Sequence, residues 1–182
     1  MNKLTLKQIR DIEPCYDPTR FVNEDWTGTV LDILKMEDVP AKDRIWVVTH
    51  FLDDKTNRLS AVYCARQALK LVDNPDLRSI EACNVAEAFA YGKATEEELA
   101  AAGDAAWADA GDADGLAAWA AWAAAAAAAA AAWDAAWDAA RDAAGSAAGD
   151  AGAAAGAAAW DAARDAARDA QIKNLIELCS TD

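Results

Sequence analysis

Between Ala117 and Ala144 the chain is alanine broken only by Trp119, Trp122, Trp133, Trp137, Arg141 and a few aspartates. No other feature constrains the fold as much. Alanine is the strongest helix former, and the run lacks the β-branched residues and the alternation that a sheet needs. Alanine also buries little area, so the eight tryptophans of this 182-residue chain must supply much of the apolar burial.

At about 100° per residue, Trp119, Trp122, Trp133 and Trp137 fall within an arc of about 60°. Ala126, Ala129 and Ala130 fill the same stripe. The spacing predicts a helix from about Gly115 to Ala144, roughly 45 Å long. The repeat runs on in both directions. Gly103, Trp107 and Gly111 precede it; Gly145, Gly149, Gly152, Gly156, Trp160, Arg164 and Arg168 follow, at steps that average near the helical period. Gly145 to Gly156 is read as a break or a bend, and the sequence leaves the two open. The last helix, through "AAAWDAARDAARDAQIKNLIELC", ends in an apolar stripe of Ile172, Leu175, Ile176 and Cys179. That stripe is expected to pack back on the N-terminal helices and close the array.

The N-terminal half reads as helical, with no convincing strand, apart from "EPCYDPTRFVNEDW", which with Pro14 and Pro18 reads as an irregular segment. Thr5–Gln8 and Thr95–Glu98 have capping-box spacing. "TGTVLDILKM" predicts a short helix with Val30, Ile33 and Leu34 on one side. Pro40 suits the first position of "PAKDRIWVVTHFL". "DDKT" is expected to break the chain before "NRLSAVYCARQALKLV", whose inner face would carry Leu59, Val62, Tyr63, Arg66, Leu69 and Val72. Asn74-Pro75 reads as the start of the next helix and Gly92 as its stop. The expected fold is all-α. A capped helical region over residues 1–95 is extended by an alanine-rich region over 96–182, packed as a bundle or short solenoid.

Acidic residues number 31 against 17 basic ones, a net charge of −14. Lys and Arg form no cluster, so direct nucleic-acid binding is not expected, and a basic partner suits the sign better. No stretch is apolar enough to span a membrane, and the N-terminus has no signal-peptide core. Cys15, Cys64, Cys83 and Cys179 are scattered and read as reduced core residues of a cytoplasmic protein. The single histidine, His50, rules out a multi-His zinc site. Asp53-Asp54 beside it suggests an acid–base or metal pair, or simply a cap and turn. Cys64 or Cys83 with His50 would form a nucleophile pair only if the thiols were not buried. No catalytic, P-loop or dinucleotide motif is present. The chain is therefore expected not to be an enzyme, with no metal and no cofactor.

Candidate binding residues remain. Arg66 sits on an otherwise apolar helix face, so it must pair with an acid or point into a cleft. Arg58 lies on the same helix. Trp119, Trp122, Trp133, Trp137 and Arg141 form a seam that either packs internally or meets a partner, since tryptophan is enriched at binding hot spots. Asp134, Asp138 and Asp142, then Asp161, Asp165 and Asp169, form an acidic ladder with rungs about 6 Å apart. It is a solvated face or a mimic of a nucleic-acid strand.

"PCYDPTRF", "LDDKTNRLSAVYCARQALKLV", "DLRSIEACNVAEAFAYGKATEEELAAA" and the "AAWDAARDAAG" pattern resemble a family of alanine- and tryptophan-rich helical proteins of phages and prophages. Some of its relatives carry an immunity-protein label. The resemblance covers nearly the whole chain and is most specific from Arg58 to Leu99. It implies an all-helical protein with a repeat of variable length, and it supplies no established activity and no catalytic residues to carry over. With the acidic charge, it leads to the expectation of a non-enzymatic counter-defence protein that engages a host or defence protein in the host-cell cytoplasm. The alternatives are a sponge for a nucleotide-like signal, held by arginines and tryptophan rings, or a structural repeat protein. A homodimer through exposed Trp or Ala faces is a further expectation.

Overall fold

The computed structural model describes residues 2–112, 120–121, 124 and 156–181. The fold is all-α, with one pair of two-residue strands among the described residues. The chain divides into two compact units, Met1–Asp53 with Ile172–Asp182, and Asp54–Gln171. Composition changes near residue 95, but this division follows packing instead. Among the described residues, no helix is long and apolar enough to cross a membrane.

In the first unit, capping boxes start two helices. Gln8 N donates to Thr5 Oγ1 at 3.4 Å, and Thr5 N donates back to Gln8 Oε1 at 2.9 Å. Two donors that the helix cannot satisfy are thereby used, and α1 (Leu6–Asp11) follows. Thr29 and Asp32 repeat the exchange ahead of α2 (Val30–Leu34). The strands β1 (Leu4–Thr5) and β2 (Thr27–Gly28) pair antiparallel just before these two helices, Leu4 opposite Gly28. The sequence gives no sign of them, because two residues cannot display an alternation. A Cβ on Gly28 would stand 2.5 Å from the Trp26 ring, so any other residue there would have to displace that ring. The Arg10 guanidinium holds the intervening loop by pairing with both Asp17 and Glu24.

Helix α3 (Ala41–Thr49) starts one residue later than predicted. Pro40 has ψ 138° and stands at the cap, outside the helix. Leu6, Ile9, Val30, Ile33, Leu34, Ile45 and Val48 form the core of this unit, together with Ile172, Leu175 and Cys179 of the last helix, α7 (Gly156–Ser180). The closing stripe is thus as the sequence predicts, with Ile176 half-buried. Cys15 is exposed and is not the core residue expected of it.

The second unit is built on α4 (Asp54–Leu69), α5 (Leu77–Ala90) and α6 (Glu96–Asp112), which pack in sequence. Asp54, Lys55 and Thr56 do not break the chain. They form the first turn of α4, where the Asp54 carboxylate suits the positive helix end. Asn74-Pro75 does not start α5; the Asp76 carboxylate caps it by accepting from Arg78 N at 2.8 Å. Gly92 ends α5 as predicted, at φ +67°. Gly92 N donates to Phe89 O at 2.9 Å and Lys93 N to Ala88 O at 2.8 Å, a complete Schellman turn. Thr95 and Glu98 then exchange the expected capping-box bonds.

The packing face of α4 differs from the prediction. Leu59, Tyr63 and Arg66 are only half-buried, while Ser60, Ala61, Cys64, Ala65 and Ala68 are fully buried beside Val62 and Leu69. On α5 the buried residues are likewise small: Ser79, Ala82, Cys83 and Ala86. Small side chains let helix backbones approach closely, so the α4–α5–α6 core is made of small residues. Ala120, Ala121 and Ala124 are helical and buried in the same manner.

Candidate functional site

Three polar clusters lie along the α4–α5–α6 helices. The first fixes the start of α5 to the end of α6. Arg78 Nε and Nη2 bond back to Asp76 at 3.1 and 3.0 Å, and Nη2 lies 3.4 Å from Asp109 Oδ1. The Ser79 hydroxyl donates to Asp109 Oδ2. Asp109 is only 6% exposed, and Ser79 is fully buried.

The second cluster centres on Arg66. Its Nη2 donates to Glu87 Oε2 at 2.6 Å and to Asn84 Oδ1 at 3.3 Å. Of the two outcomes open to this residue, pairing with an acid is the one observed, although the acid is half-exposed. Cys83 lies nearby. Burial pushes its thiol up to about 12, with the Arg66 charge opposing. Cys64 is likewise pushed up to about 12 by burial, against a hydrogen bond from the Gln171 amide. A thiol so protonated is not a nucleophile at neutral pH.

At the third cluster, the N-terminal end of α4 meets the C-terminal end of α5. The Arg58 guanidinium stands 4.8 Å from the Phe89 ring centroid and the residue is 7% exposed. Burial lowers its pKa, with the Asp54 carboxylate acting the other way. Beside it, Lys55 Nζ lies 5.2 Å and Lys93 Nζ 5.8 Å from the Tyr91 ring centroid.

Arg58 and Arg66 therefore both lie where α4 faces α5. Trp119, Trp122, Trp133, Trp137, Arg141, Asp134, Asp138 and Asp142 lie outside the described residues, as does the Asp161 side chain. Asp165 pairs with Arg168 at 2.8 Å, and Asp169 is exposed. In the first unit, His50 Nδ1 is 2.7 Å from Trp46 O and its ring leans on Trp46. Among the described residues, no group of three His, Cys, Asp or Glu is placed to hold a metal.

Asp109 is the main residue that sequence reasoning missed. In the ladder each aspartate directly follows the special residue, as in Trp133-Asp134 and Arg164-Asp165. After Trp107 it comes one residue late. A one-residue delay turns a helix position by about 100°, from the outer face toward the core. The arrangement is inverted accordingly: Asp109 is buried and Trp107 is 59% exposed. The broken phase was the available signal.

The fold and these clusters define an all-helical protein with a small-residue core. No family model matches the chain, and no curated protein or solved structure matches it.

Proposed function

We propose that the chain is a non-enzymatic binding protein that acts for a phage by engaging a bacterial defence component or another host macromolecule. One observation carries the binding role. Among the described residues, the exposed large apolar side chains are Leu71, Leu77, Tyr91 and Trp107, and all four belong to the second unit. Leu77 is 78% exposed although it opens a helix. Covering such surface recovers roughly 25 cal/mol per Å², and aromatic residues are the usual anchors of interfaces. The net charge of −14 favours a partner with a basic surface. The protonated state of Cys64 and Cys83 supports a role without thiol chemistry. The phage and counter-defence part rests on the resemblance of the Arg58–Leu99 block.

The test uses the full chain immobilised in a bacterial lysate, and the same chain expressed in defended cells challenged with phage. The chain is expected to retain one host protein in stoichiometric amount and to raise plaque counts. The Leu77→Ser, Trp107→Ala double variant is expected to lose both effects while keeping its circular dichroism. Retention of no host protein, or plaque counts unchanged by the chain, overturns the proposal.

A further inference from the structure

Acids outnumber bases in this chain, and among the described residues some basic side chains pair with carboxylates while others do not. Arg10, Arg66, Arg78 and Arg168 are all paired. Lys55 and Lys93 pair with no carboxylate among the described residues; both ammonium groups instead flank the Tyr91 ring. Tyr91 is 51% exposed. It is held by the Schellman turn, whose bonds fix Gly92 and Lys93 to the end of α5. Arg58, packed on Phe89 at the same helix ends, adds to the positive potential. The result is an aromatic platform flanked by two ammonium groups on an acidic protein.

The same unit carries a complementary surface. On α7, Ala162, Asp165, Ala166 and Asp169 are exposed and share an arc of about 100°. The two carboxylates are one turn apart, a rise of about 6 Å. The two alanines beside them leave a shallow floor that a ring can cover. Asp169 has no ion pair among the described residues, and Asp165 has only the exposed one to Arg168. Within one chain the two surfaces share no ion pair.

We propose that the Lys55–Tyr91–Lys93 platform docks on the acidic face of α7 in a second copy of the chain. The Tyr91 ring covers Ala162 and Ala166, and the two lysines reach Asp165 and Asp169. Each copy carries both surfaces, and in the proposed dimer the contact forms twice, about a two-fold axis, rather than head to tail. The net charge of each copy opposes association at long range. Salt at physiological strength confines that repulsion to about 8 Å, while the opposed lysines and aspartates act at contact. Nucleic-acid phosphates are the other polyanion two lysines would suit, and the charge of −14 works against them. The inference is independent of the counter-defence reading, since it concerns the chain alone.

A charge swap tests it by sedimentation velocity at physiological salt. The wild-type chain is expected to dimerise. Lys55→Glu with Lys93→Glu, and separately Asp165→Lys with Asp169→Lys, should each weaken the dimer about a hundredfold. Mixing the two variants should restore it, because every lysine then faces a carboxylate across both contacts. Lys3→Glu with Lys42→Glu, the same charge change elsewhere, should leave the dimer intact, and circular dichroism should show each variant folded. A wild-type chain that stays monomeric, a dimer that survives either swap, or a mixture that stays monomeric overturns the proposal. So does a labelled single-stranded oligonucleotide that binds the wild type and is lost with Lys55→Glu and Lys93→Glu.

Discussion

Replacing Asp109 by alanine is expected to destabilise the second unit by about 2 kcal/mol. The buried Ser79 hydroxyl loses its acceptor, and an orphaned buried donor costs about 1–3 kcal/mol. Arg78 is not stranded, because it keeps both Asp76 oxygens, and its 3.4 Å contact to Asp109 adds little. Two effects oppose the loss. A carboxylate no longer has to be desolvated, and alanine exceeds aspartate in helix propensity by roughly half a kcal/mol. Ser79→Ala alone is expected to cost about 1.5–3 kcal/mol, as the loss of a hydrogen bond to a charged group. The double variant leaves no orphan, so it should cost little more than either single change, with a coupling of about 1–2 kcal/mol. Urea denaturation followed by circular dichroism measures all four chains, provided the slopes agree. Asp109→Ala within about 0.5 kcal/mol of wild type, or a double variant whose loss equals the sum of the singles, refutes the reasoning.

Alkylation with iodoacetamide near pH 8, followed by mass spectrometry, should modify exposed Cys15 rapidly, while Cys64 and Cys83 react only on unfolding. Gly92→Ala should cost about 1 kcal/mol of stability in urea: nothing stands within 4 Å of the new Cβ, so the loss measures the φ of +67° alone. Ultraviolet titration near 295 nm should show Tyr16 ionising late, because burial, with a 2.6 Å bond to Asp43, pushes it up to about 12. Its folded pKa lies above the unfolded one, so its contribution to stability is complete below about pH 10 and is lost as pH rises toward 12. Asp43→Asn should bring that titration only part of the way down, since burial is the larger cause.

What was legible in the sequence was local. The boxes at Thr5 and Thr95 and the stop at Gly92 each need only two to four neighbouring residues, and the structure has all three. Asn74-Pro75 misled because Asp76, two residues on from Asn74, is also a strong cap, and its carboxylate won the Arg78 amide. The candidate site was legible only in part. The apolar surroundings of Arg66 call for an acid or a cleft, but Glu87 is 21 residues away and nothing in the sequence selects it. The Tyr91 platform needs residues from two helices, and neither helix shows it alone.

The inner face of α4 is not the one that bulk predicts, for a reason that bears on the repeat as well. Periodicity weighted by bulk favours Leu59, Tyr63 and Arg66 over Ser60, Cys64 and Ala68, which are the buried residues. Where helices pack through small residues, the bulky ones are displaced to the flanks, and hydrophobic size no longer marks the core. Trp107 shows the consequence within the repeat, exposed on the same helix that buries Ala106 and Asp109. In an alanine-rich helix a tryptophan therefore does not by itself identify the buried side. The phase of its neighbouring aspartate is the more direct marker, since it places the carboxylate in solvent or against a buried partner such as Ser79. Moving Asp109 back by one residue, as Ala108→Asp with Asp109→Ala, should carry the carboxylate toward solvent and leave Ser79 without its acceptor. The shifted chain should then be about as unstable as Asp109→Ala alone; stability equal to wild type would show that phase does not govern which side is buried.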